Sequence, residues 1–334
     1  MIRALDGQDP AGRGAERAFL AAAEAQPLPG AELVSAWYAF GKGQARGAGG
    51  WHFFTAGPDE PPFALALRRG AAWACGGHDP GEWGDFLRYV HARRLTLSDG
   101  GPLPQGFAPA AQMRGFCLPV RPDTPAPPPL PDGWRLAGLK TAGPLADFLL
   151  REGAFDEDAP MGDAPHICAA PPVPAAPAGE GAKPGPADPT VPAAPPVPAA
   201  PAAQNAPAPN VPDAGRQAAA LFARELDARA AVGLGYAALL LSPEGQPAAG
   251  LAAFTGVHGH AVSLAAVQVR AGLRGHGLGG WLVQTAAAIA HHGGSAVWLL
   301  CRPERAGFYT RLGFQPQGGW LCLAPAQETQ NRGV

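Results

Sequence analysis

The C-terminal third of the chain has the clearest periodicity of apolar and polar residues. Short apolar runs bounded by turn residues predict strands at Tyr236–Leu241, Ala248–Thr255, Ala261–Val269 and Ala296–Cys301. Between the last two strands the spacing predicts a helix that Gly293 ends, with an apolar stripe of Leu278, Leu282, Thr285 and Ile289. A shorter helix is predicted from Pro303, which suits a first turn, to Gly313, which suits a C-terminal stop.

The N-terminal region shows a similar but weaker pattern. It predicts helices at Ala15–Gln26 and Ala31–Gly41, followed by strands at Trp51–Thr55, Phe63–Leu67 and Ala71–Cys75. An amphipathic helix over Asp79–Arg94 has Asp79 as its N-cap and an apolar face of Trp83, Phe86, Leu87 and Val90. A strand at Met113–Val120 and a Pro-rich link at Pro122–Pro131 close this α/β unit.

A compositional boundary interrupts the second unit. A strand at Gly133–Leu139 and a helix at Gly143–Glu152 precede a Pro/Ala-rich segment, and a helix at Gly215–Ala230 follows it. The segment repeats the sequence PPVPAAPA at Pro171–Ala178 and Pro195–Ala202 and has too little apolar bulk to fold. We expect an extended, disordered insert that acts either as a spacer or as a docking ligand. The predicted domains are 1–125 and 133–325, with the insert at 169–213 and a disordered tail at 326–334.

Composition and charge narrow the possible functions. A net charge of −2 over 334 residues produces no positive electrostatic potential that would attract nucleic acid or an anionic membrane, so neither is an expected partner. The five cysteines are far apart and lack any C-x-x-C spacing, which predicts no disulfide framework and no metal site. Met1–Gly14 has no apolar run typical of a signal peptide, and no stretch is long enough to span a bilayer. We therefore expect a cytoplasmic protein; its oligomeric state is open.

The turn before the long C-terminal helix is the first candidate for chemistry. It runs from Arg274 to Gly280, where glycines would let a phosphate approach the unpaired amides of a helix N-terminus. Arg270, Arg302, Arg305 and Arg311 add positive charge. The same glycines satisfy G-x-G-x-x-G, but with 46 glycines in 334 residues roughly one such match arises by chance. A dinucleotide fold is disfavoured because no acid follows at the spacing that a ribose needs.

A second sequence motif, after the next strand, indicates what kind of site the turn belongs to. After the strand at Ala296–Cys301, the short helix ends in Phe-Tyr-x-x-Leu-Gly-Phe at Phe308–Phe314. Strand, Arg/Gly turn, helix, strand and this short helix together resemble the GNAT superfamily of acetyl-CoA-dependent N-acyltransferases. The resemblance is strong over about 250–320 and extends more weakly upstream to Gly133. It implies a mixed α/β sheet flanked by helices, and the N-terminal half would be a smaller, degenerate and non-catalytic GNAT-like unit.

The resemblance also implies a mechanism. Acetyl-CoA would be the acyl-donor co-substrate, no metal would be needed, and the acceptor would be a primary amine of a small molecule, peptide or protein. The strand backbone at Val267, Gln268 and Val269 would bind the pantetheine arm. The amides of the turn would hold the pyrophosphate, namely those of Arg274, Gly275, His276, Gly277, Leu278, Gly279 and Gly280. Tyr309 would protonate the departing thiolate; its alternative is a core position beside Phe308.

Three questions stay open at this level. The strand at Ala261–Val269 carries no Asp or Glu, so a water chain, His258 or His260 would have to act as general base. The family often has Asn just before the short helix, where this chain reads Arg302-Pro303-Glu304. An active N-acyltransferase therefore competes with a catalytically silent CoA-binding regulator, and with an interaction protein that works through its Pro-rich segment.

Overall fold

The computed structural model describes residues 1–5, 13–42, 50–56, 60, 62–98, 102–120, 129–130, 132–155, 213–255 and 261–326. The predictions for the Pro/Ala insert, for His258 and His260, and for residues 327–334 of the tail lie outside these residues. No helix in the described part of the chain combines the length and the apolar character needed to cross a membrane.

Both halves of the chain contain helices and strands. The helices are α1 Arg13–Glu24, α2 Pro27–Ala36, α3 Pro80–Tyr89, α4 Gly143–Arg151, α5 Asp213–Ala231, α6 Leu278–His292 and α7 Ala306–Arg311. The strands are β1 Arg3–Ala4, β2 Trp51–Thr55, β3 Ala64–Arg68, β4 Ala71–Cys75, β5 Arg94–Ser98, β6 Phe107–Leu118, β7 Arg135–Gly138, β8 Gly235–Leu241, β9 Pro247–Thr255, β10 Ala261–Val269, β11 Ala296–Cys301 and β12 Gln315–Pro325. A π-helical turn, Trp37–Lys42, continues α2.

All of these strands belong to one mixed sheet. Its 12 strands lie in the order β1-β2-β3-β4-β5-β12-β6-β11-β10-β9-β8-β7. The pairs β4–β5 and β10–β11 are parallel, and the other pairs are antiparallel. The predicted fold class, a mixed α/β sheet flanked by helices, is confirmed.

The order of the strands has an internal two-fold symmetry. Each strand of the first half has a counterpart in the second half: β1 corresponds to β7, β2 to β8, and so on to β6 and β12. If every strand is exchanged with its counterpart, the strand order is unchanged when it is read from the opposite edge of the sheet. The parallel and antiparallel pairs are unchanged as well. The last strand of each half is exchanged: β12 lies between β5 and β6, and β6 lies between β11 and β12. Each half therefore completes the sheet of the other, although the predicted boundary near residue 125 assigns β6 to the N-terminal half alone.

Side chains alternate between two helical layers. On β3, Ala64 and Ala66 pack in the core under α1 and α2, whereas Leu65 and Leu67 pack under α3. On β9, Ala252 and Phe254 face the core of α4 and α5, and Leu251 and Ala253 face α6. One face of the sheet thus carries α1, α2, α4 and α5, and the opposite face carries α3 and α6.

The structure corrects several predicted bounds. The helix predicted over Asp79–Arg94 ends at Tyr89, because His91 adopts a left-handed backbone with φ of 54°, and β5 begins at Arg94. Asp79 does cap that helix, since its Oδ1 accepts the amide of Glu82 at 2.9 Å. The strand predicted at Met113–Val120 begins at Phe107 and ends at Leu118. The sequence analysis did not predict β5 or β12.

Candidate functional site

The parallel neighbours β10 and β11 stop pairing halfway along β10. Their ladder joins Ala261–Leu264 to Ala296–Leu299 and ends there. Beyond that point β11 continues to pair with β6 through Cys301, whereas β10 continues to pair with β9 through Val269. The register of β10 shifts between Ala265 and Gln268, a β-bulge in which Ala266 has a φ of 53°. The two strands thus separate at their carboxyl ends, where open α/β sheets bind ligands.

The predicted pantetheine-binding residues lie on this separated part of β10. Val267 and Val269 are half-buried against the core on the α6 face. Gln268 points to the other face, where its Nε2 donates to the carbonyl of Glu152 at 3.5 Å. The backbone of this part of β10 therefore pairs with β9 but not with β11, and the side chains of these residues pack into the two helical layers. Their binding of pantetheine stays a prediction.

The turn that leads to α6 is held in a shape that only glycine adopts easily. Gly275 and Gly277 have φ of 83° and 78°, and a Cβ on either would meet nothing within 4 Å. Gly277 is the N-cap of α6, and no side chain among the described residues caps the helix. Arg274 and His276 fold back on the turn, with Arg274 Nε donating to the Val269 carbonyl at 3.2 Å. The first amides of α6 therefore lie beside open space, as anion binding requires.

The next two glycines serve close packing. A Cβ on Gly279 would lie 3.2 Å from Cγ2 of Val269, and a Cβ on Gly280 would lie 3.4 Å from Cδ2 of Leu312. Leu278 is buried in the core between them and the sheet. The first turn of α6 is thereby brought against the end of β10 on one side and the segment after α7 on the other.

Tyr309 lies at the same end of the sheet, on α7. It is 9 % exposed, and its ring packs against those of Phe116, Phe308 and Phe314 at centroid distances of 6.2, 4.9 and 5.8 Å. Burial raises the pKa of Tyr309 above its ordinary value; Cys301 adds to the rise and Arg305 opposes it. The phenol therefore stays protonated at neutral pH and can donate a proton.

Three other polar or titratable side chains of the C-terminal half are not arranged for catalysis. Burial raises the pKa of Cys301 to about 12, which disfavours the nucleophilic thiolate. His291 is buried, and its Nε2 lies 3.2 Å from the carbonyl of Leu118 on β6, so it joins α6 to the neighbouring sheet. Arg302 pairs with Glu304 at 3.6 Å just before α7.

The equivalent position in the N-terminal half is built differently. Helix α3 follows β4 as α6 follows β10, but its N-terminus is capped by the carboxylate of Asp79. Glu82 adds a second negative charge in the first turn. Because these carboxylates already satisfy and neutralise the N-terminus of α3, this helix N-terminus is unsuited to a phosphate.

One group of residues in the described chain has the composition of a cation site. The ligand atoms of Glu60, His78 and Glu82 all lie within 4.8 Å of one another. The N-terminal ammonium of Met1 contacts Glu60 and Glu82, so these carboxylates already have a cationic partner. The absence of a metal stays a prediction.

A buried polar cluster between the two halves was not predicted. It consists of Glu32 and Ser35 from α2, Glu225 and Arg229 from α5, Arg68 from β3 and Ser263 from β10. Burial raises the pKa of Glu32 to about 8, although Arg229 and the hydrogen bond from Ser263 act against it. The available signal was a lone acid in an otherwise apolar helix, Ala31-Glu32-Leu33-Val34, but nothing local indicates what it faces.

These features define an α/β protein with a glycine-lined helix N-terminus beside two separating parallel strands and a buried tyrosine. Residues 234–316 match the sequence profile described as the acetyltransferase (GNAT) domain. The predicted resemblance to the GNAT superfamily is therefore confirmed, and the match lies within the C-terminal half.

Comparison of structures extends the likeness to the whole fold. The chain is similar to a tandem GNAT protein from the clavulanic acid biosynthesis pathway, with 14 % identity, 98 % of both chains covered and a TM-score of 0.55. It is also similar to a GCN5-related N-acetyltransferase from Sphaerobacter thermophilus, with 15 % identity, 97 % of this chain and 94 % of that chain covered, and a TM-score of 0.50. At these identities the likeness shows the fold alone. A search of curated protein sequences finds no match.

Proposed function

We propose that the protein transfers an acetyl group from acetyl-CoA to a primary amine of a small molecule, a peptide or a protein. The observation that carries this proposal is the uncapped, glycine-lined N-terminus of α6 at the point where β10 and β11 separate. Tyr309 lies on the neighbouring helix. The GNAT profile over 234–316 supports acyl transfer as the reaction class.

The donor would lie across the open end of the sheet. The backbone of Val267–Val269 is free of β11 and is proposed to hydrogen-bond the pantetheine arm. The amides of Arg274–Gly280 are proposed to hold the pyrophosphate, because helix N-terminal N–H groups and the helix dipole favour anions. No metal is needed for this mode of binding.

The chemistry would then be direct attack of a neutral amine on the thioester. The sheet and α6 would fix the donor, so that much of the barrier is lowered by positioning. Tyr309, kept protonated by its burial, would give its proton to the departing thiolate. We also propose that the N-terminal half has no catalytic centre of its own, that the domains divide near residues 125 and 133, and that the reaction is cytoplasmic.

A second candidate function is a catalytically silent CoA-binding regulator. The observation that favours it is the composition of β10 itself, whose residues Ala261–Val269 include no acid or histidine that could act as base. An interaction protein that works through the Pro/Ala segment is a third candidate, and it predicts no affinity for CoA.

Calorimetry with acetyl-CoA tests the donor site. We expect saturable binding by the wild type and a loss of about tenfold or more in affinity for Gly277→Ala, since the added methyl strains the cap and enters the phosphate space. Gly294→Ala is the matched control: Gly294 has a φ of 76° and equally open surroundings, but it follows the far end of α6. Absence of acetyl-CoA binding by the wild type would refute both CoA-dependent functions.

Release of CoA in a panel of amino acids, polyamines and peptides separates the enzyme from the silent regulator. In Tyr309→Phe we expect kcat to fall about 10²-fold, the lower range for a lost general acid, with the affinity for acetyl-CoA unchanged. Phe308→Leu is the control for lost packing beside the same site. Equal turnover and pH profile in Tyr309→Phe and the wild type would show that Tyr309 is only a core residue.

A further inference from the structure

The N-terminal half places an acidic side chain on the strand that borders the proposed donor site. Helix α2 packs across β9 and β10 as well as across its own strands. Its Glu32 accepts a hydrogen bond from Ser263 Oγ on β10 at 3.3 Å. Glu32 is 3 % exposed and Ser263 is 2 % exposed, so this contact between the two halves is buried.

Several polar atoms at this contact have no hydrogen-bond partner in the described part of the chain. They are Oε2 of Glu32 and Nε and Nη2 of Arg229, and both side chains are more than nine-tenths buried. A buried polar atom without a partner costs about 1–3 kcal/mol, and native structures retain few of them. The guanidinium of Arg229 has other contacts, because it lies over the rings of Trp51 and Phe254 at 5.6 and 4.7 Å from their centroids. The free oxygen of Glu32 has no such contact among the described residues and therefore indicates a group that faces a ligand.

The side of the sheet on which Glu32 lies is informative. Along β10, Val262 and Leu264 pack toward α6, and Ser263 between them points to the opposite face. Ser263 pairs with Trp298 of β11, and only one further pair, Leu264 with Leu299, follows before the two strands separate. A donor held at the N-terminus of α6 enters the opening from the α6 face. An amine must therefore approach the thioester from the other face, where Glu32 stands.

The remaining contacts position Glu32 without using its free oxygen. One guanidinium nitrogen of Arg229, Nη1, donates to the carbonyl of Glu32 at 3.0 Å and also to Ser35 Oγ. Glu225, one turn before Arg229 on α5, pairs with Arg68 of β3. The thiol of Cys75 on β4 is also close enough for the charge of Glu32 to raise the pKa of Cys75. Arg229 thus holds the backbone of α2 in place, while Glu32 Oε2 has no hydrogen-bond partner among the described residues.

We propose that Glu32 of the N-terminal half binds the acceptor amine and removes its proton, which makes the junction of the halves the acceptor site. This rests on the proposed acetyl transfer. The amine nitrogen bonds to the acetyl carbon, its proton passes to Glu32 Oε2, the carbon–sulfur bond breaks, and the sulfur takes the proton of Tyr309. Because burial raises the pKa of Glu32 to about 8, its carboxylate is a stronger base near neutral pH than an exposed glutamate.

The placement can be tested without knowing the acceptor, by using bromoacetyl-CoA as a probe that carries its reactive carbon beside the thioester. In Glu32→Cys, the new thiolate should displace bromide and form a covalent thioether with the probe, detected by mass spectrometry of the tryptic peptide. We expect labelling at least tenfold faster than in Glu225→Cys, a matched replacement of another buried acid in the same cluster. The wild type reports any reaction of the native cysteines.

The outcomes separate the two proposals. Bound but unreactive probe in Glu32→Cys would place Glu32 away from the acyl group and overturn the inference while leaving the donor site intact. Failure of the wild type to bind the probe or acetyl-CoA would instead overturn the proposed function and this inference with it.

The proton-accepting role has its own readout. With the amines of the panel that the wild type acetylates, Glu32→Gln should lower kcat at least about 10²-fold and remove the acid limb of the pH–rate profile. Ser263→Ala should move that limb to higher pH, because the lost hydrogen bond stabilises the carboxylate. Unchanged profiles in both variants would reduce Glu32 to a structural contact. If no amine is acetylated, the labelling result decides.

Discussion

Single residues at the site are constrained for different physical reasons that the sequence does not distinguish. Gly275 and Gly277 are required by their positive φ, whereas Gly279 and Gly280 are required by the close approach of Val269 and Leu312. In the sequence all four read as one glycine-rich run in a glycine-rich chain. Only the three-dimensional contacts separate the residues that shape the turn from those that let α6 pack.

The burial of Glu32 predicts a pH-dependent stability. Its folded pKa of about 8 is raised from 4.5 by burial, so the folded state retains the proton more strongly than the unfolded state, and stability falls as pH rises between these values. Glu32→Gln removes this dependence. We expect the free energy of unfolding of Glu32→Gln, relative to that of the wild type, to increase by at most about 1.4 kcal/mol for each pH unit from pH 5 to 8.

Denaturant unfolding at several pH values measures this effect. The exposed Glu304 provides the control, since Glu304→Gln should follow the wild-type curve at every pH. Parallel curves for Glu32→Gln and the wild type would mean that the Glu32 carboxyl is solvated or fully compensated in the folded protein.

At the scale of elements, the β-bulge in β10 connects local structure to the site. A regular strand would continue to pair with β11 and close the sheet, whereas the bulge between Ala265 and Gln268 directs the end of β10 away. The bounds of β10 and β11 were predicted correctly from their apolar runs. The bulge was not, because Ala266 carries no sequence signal for a positive φ.

The Pro/Ala segment joins two helices that form one core. Phe148 of α4 and Phe222 and Leu226 of α5 pack together under β8 and β9. Excising Pro171–Pro212 leaves a connection of 156–170, which at about 3.3 Å per residue reaches roughly 50 Å and does not strain the pair. We expect the melting temperature to change by less than about 3 °C and the affinity for acetyl-CoA to stay within twofold.

Thermal melting and calorimetry on the excised chain test this prediction. Phe222→Ala is the comparison that should destabilise, by about 3–5 kcal/mol, because it empties a core position between the helices. A comparable loss of stability on excision would mean that the segment packs against the domain.

At the scale of the whole molecule, the exchanged strands make the halves interdependent. Phe116 and Leu118 of β6 belong to the core under α6, and Leu323 of β12 belongs to the core under α3. Residues 129–334 alone would lack the strand between β11 and β12, which leaves open sheet edges and an incomplete core.

We therefore predict that residues 1–125 and 129–334, produced separately, are aggregated or unfolded. Their coexpression should restore a complex that binds acetyl-CoA with close to wild-type affinity. Size-exclusion chromatography, circular dichroism and calorimetry on the three preparations measure this. A folded 129–334 fragment with wild-type affinity would show that the exchange is not needed for the donor site.

The sequence by itself determined the features whose causes are local. Apolar periodicity located β10, β11 and α6, and the Arg274–Gly280 turn followed by Phe308–Phe314 indicated the GNAT domain. Each of these signals lies within a few residues of the element that it predicts, because helix caps, turns and amphipathic faces depend on neighbouring residues.

Only the tertiary structure decided the features that depend on partners far along the chain. The pairing of Trp320 with Ser98 and Met113, and the contact of Glu32 with Ser263, join residues about 200 positions apart. Strand pairing and burial of an acid are decided by what the rest of the fold places opposite, and no local pattern encodes that. The exchange of β6 and β12 and the contact of Glu32 with Ser263 are therefore properties of the folded molecule.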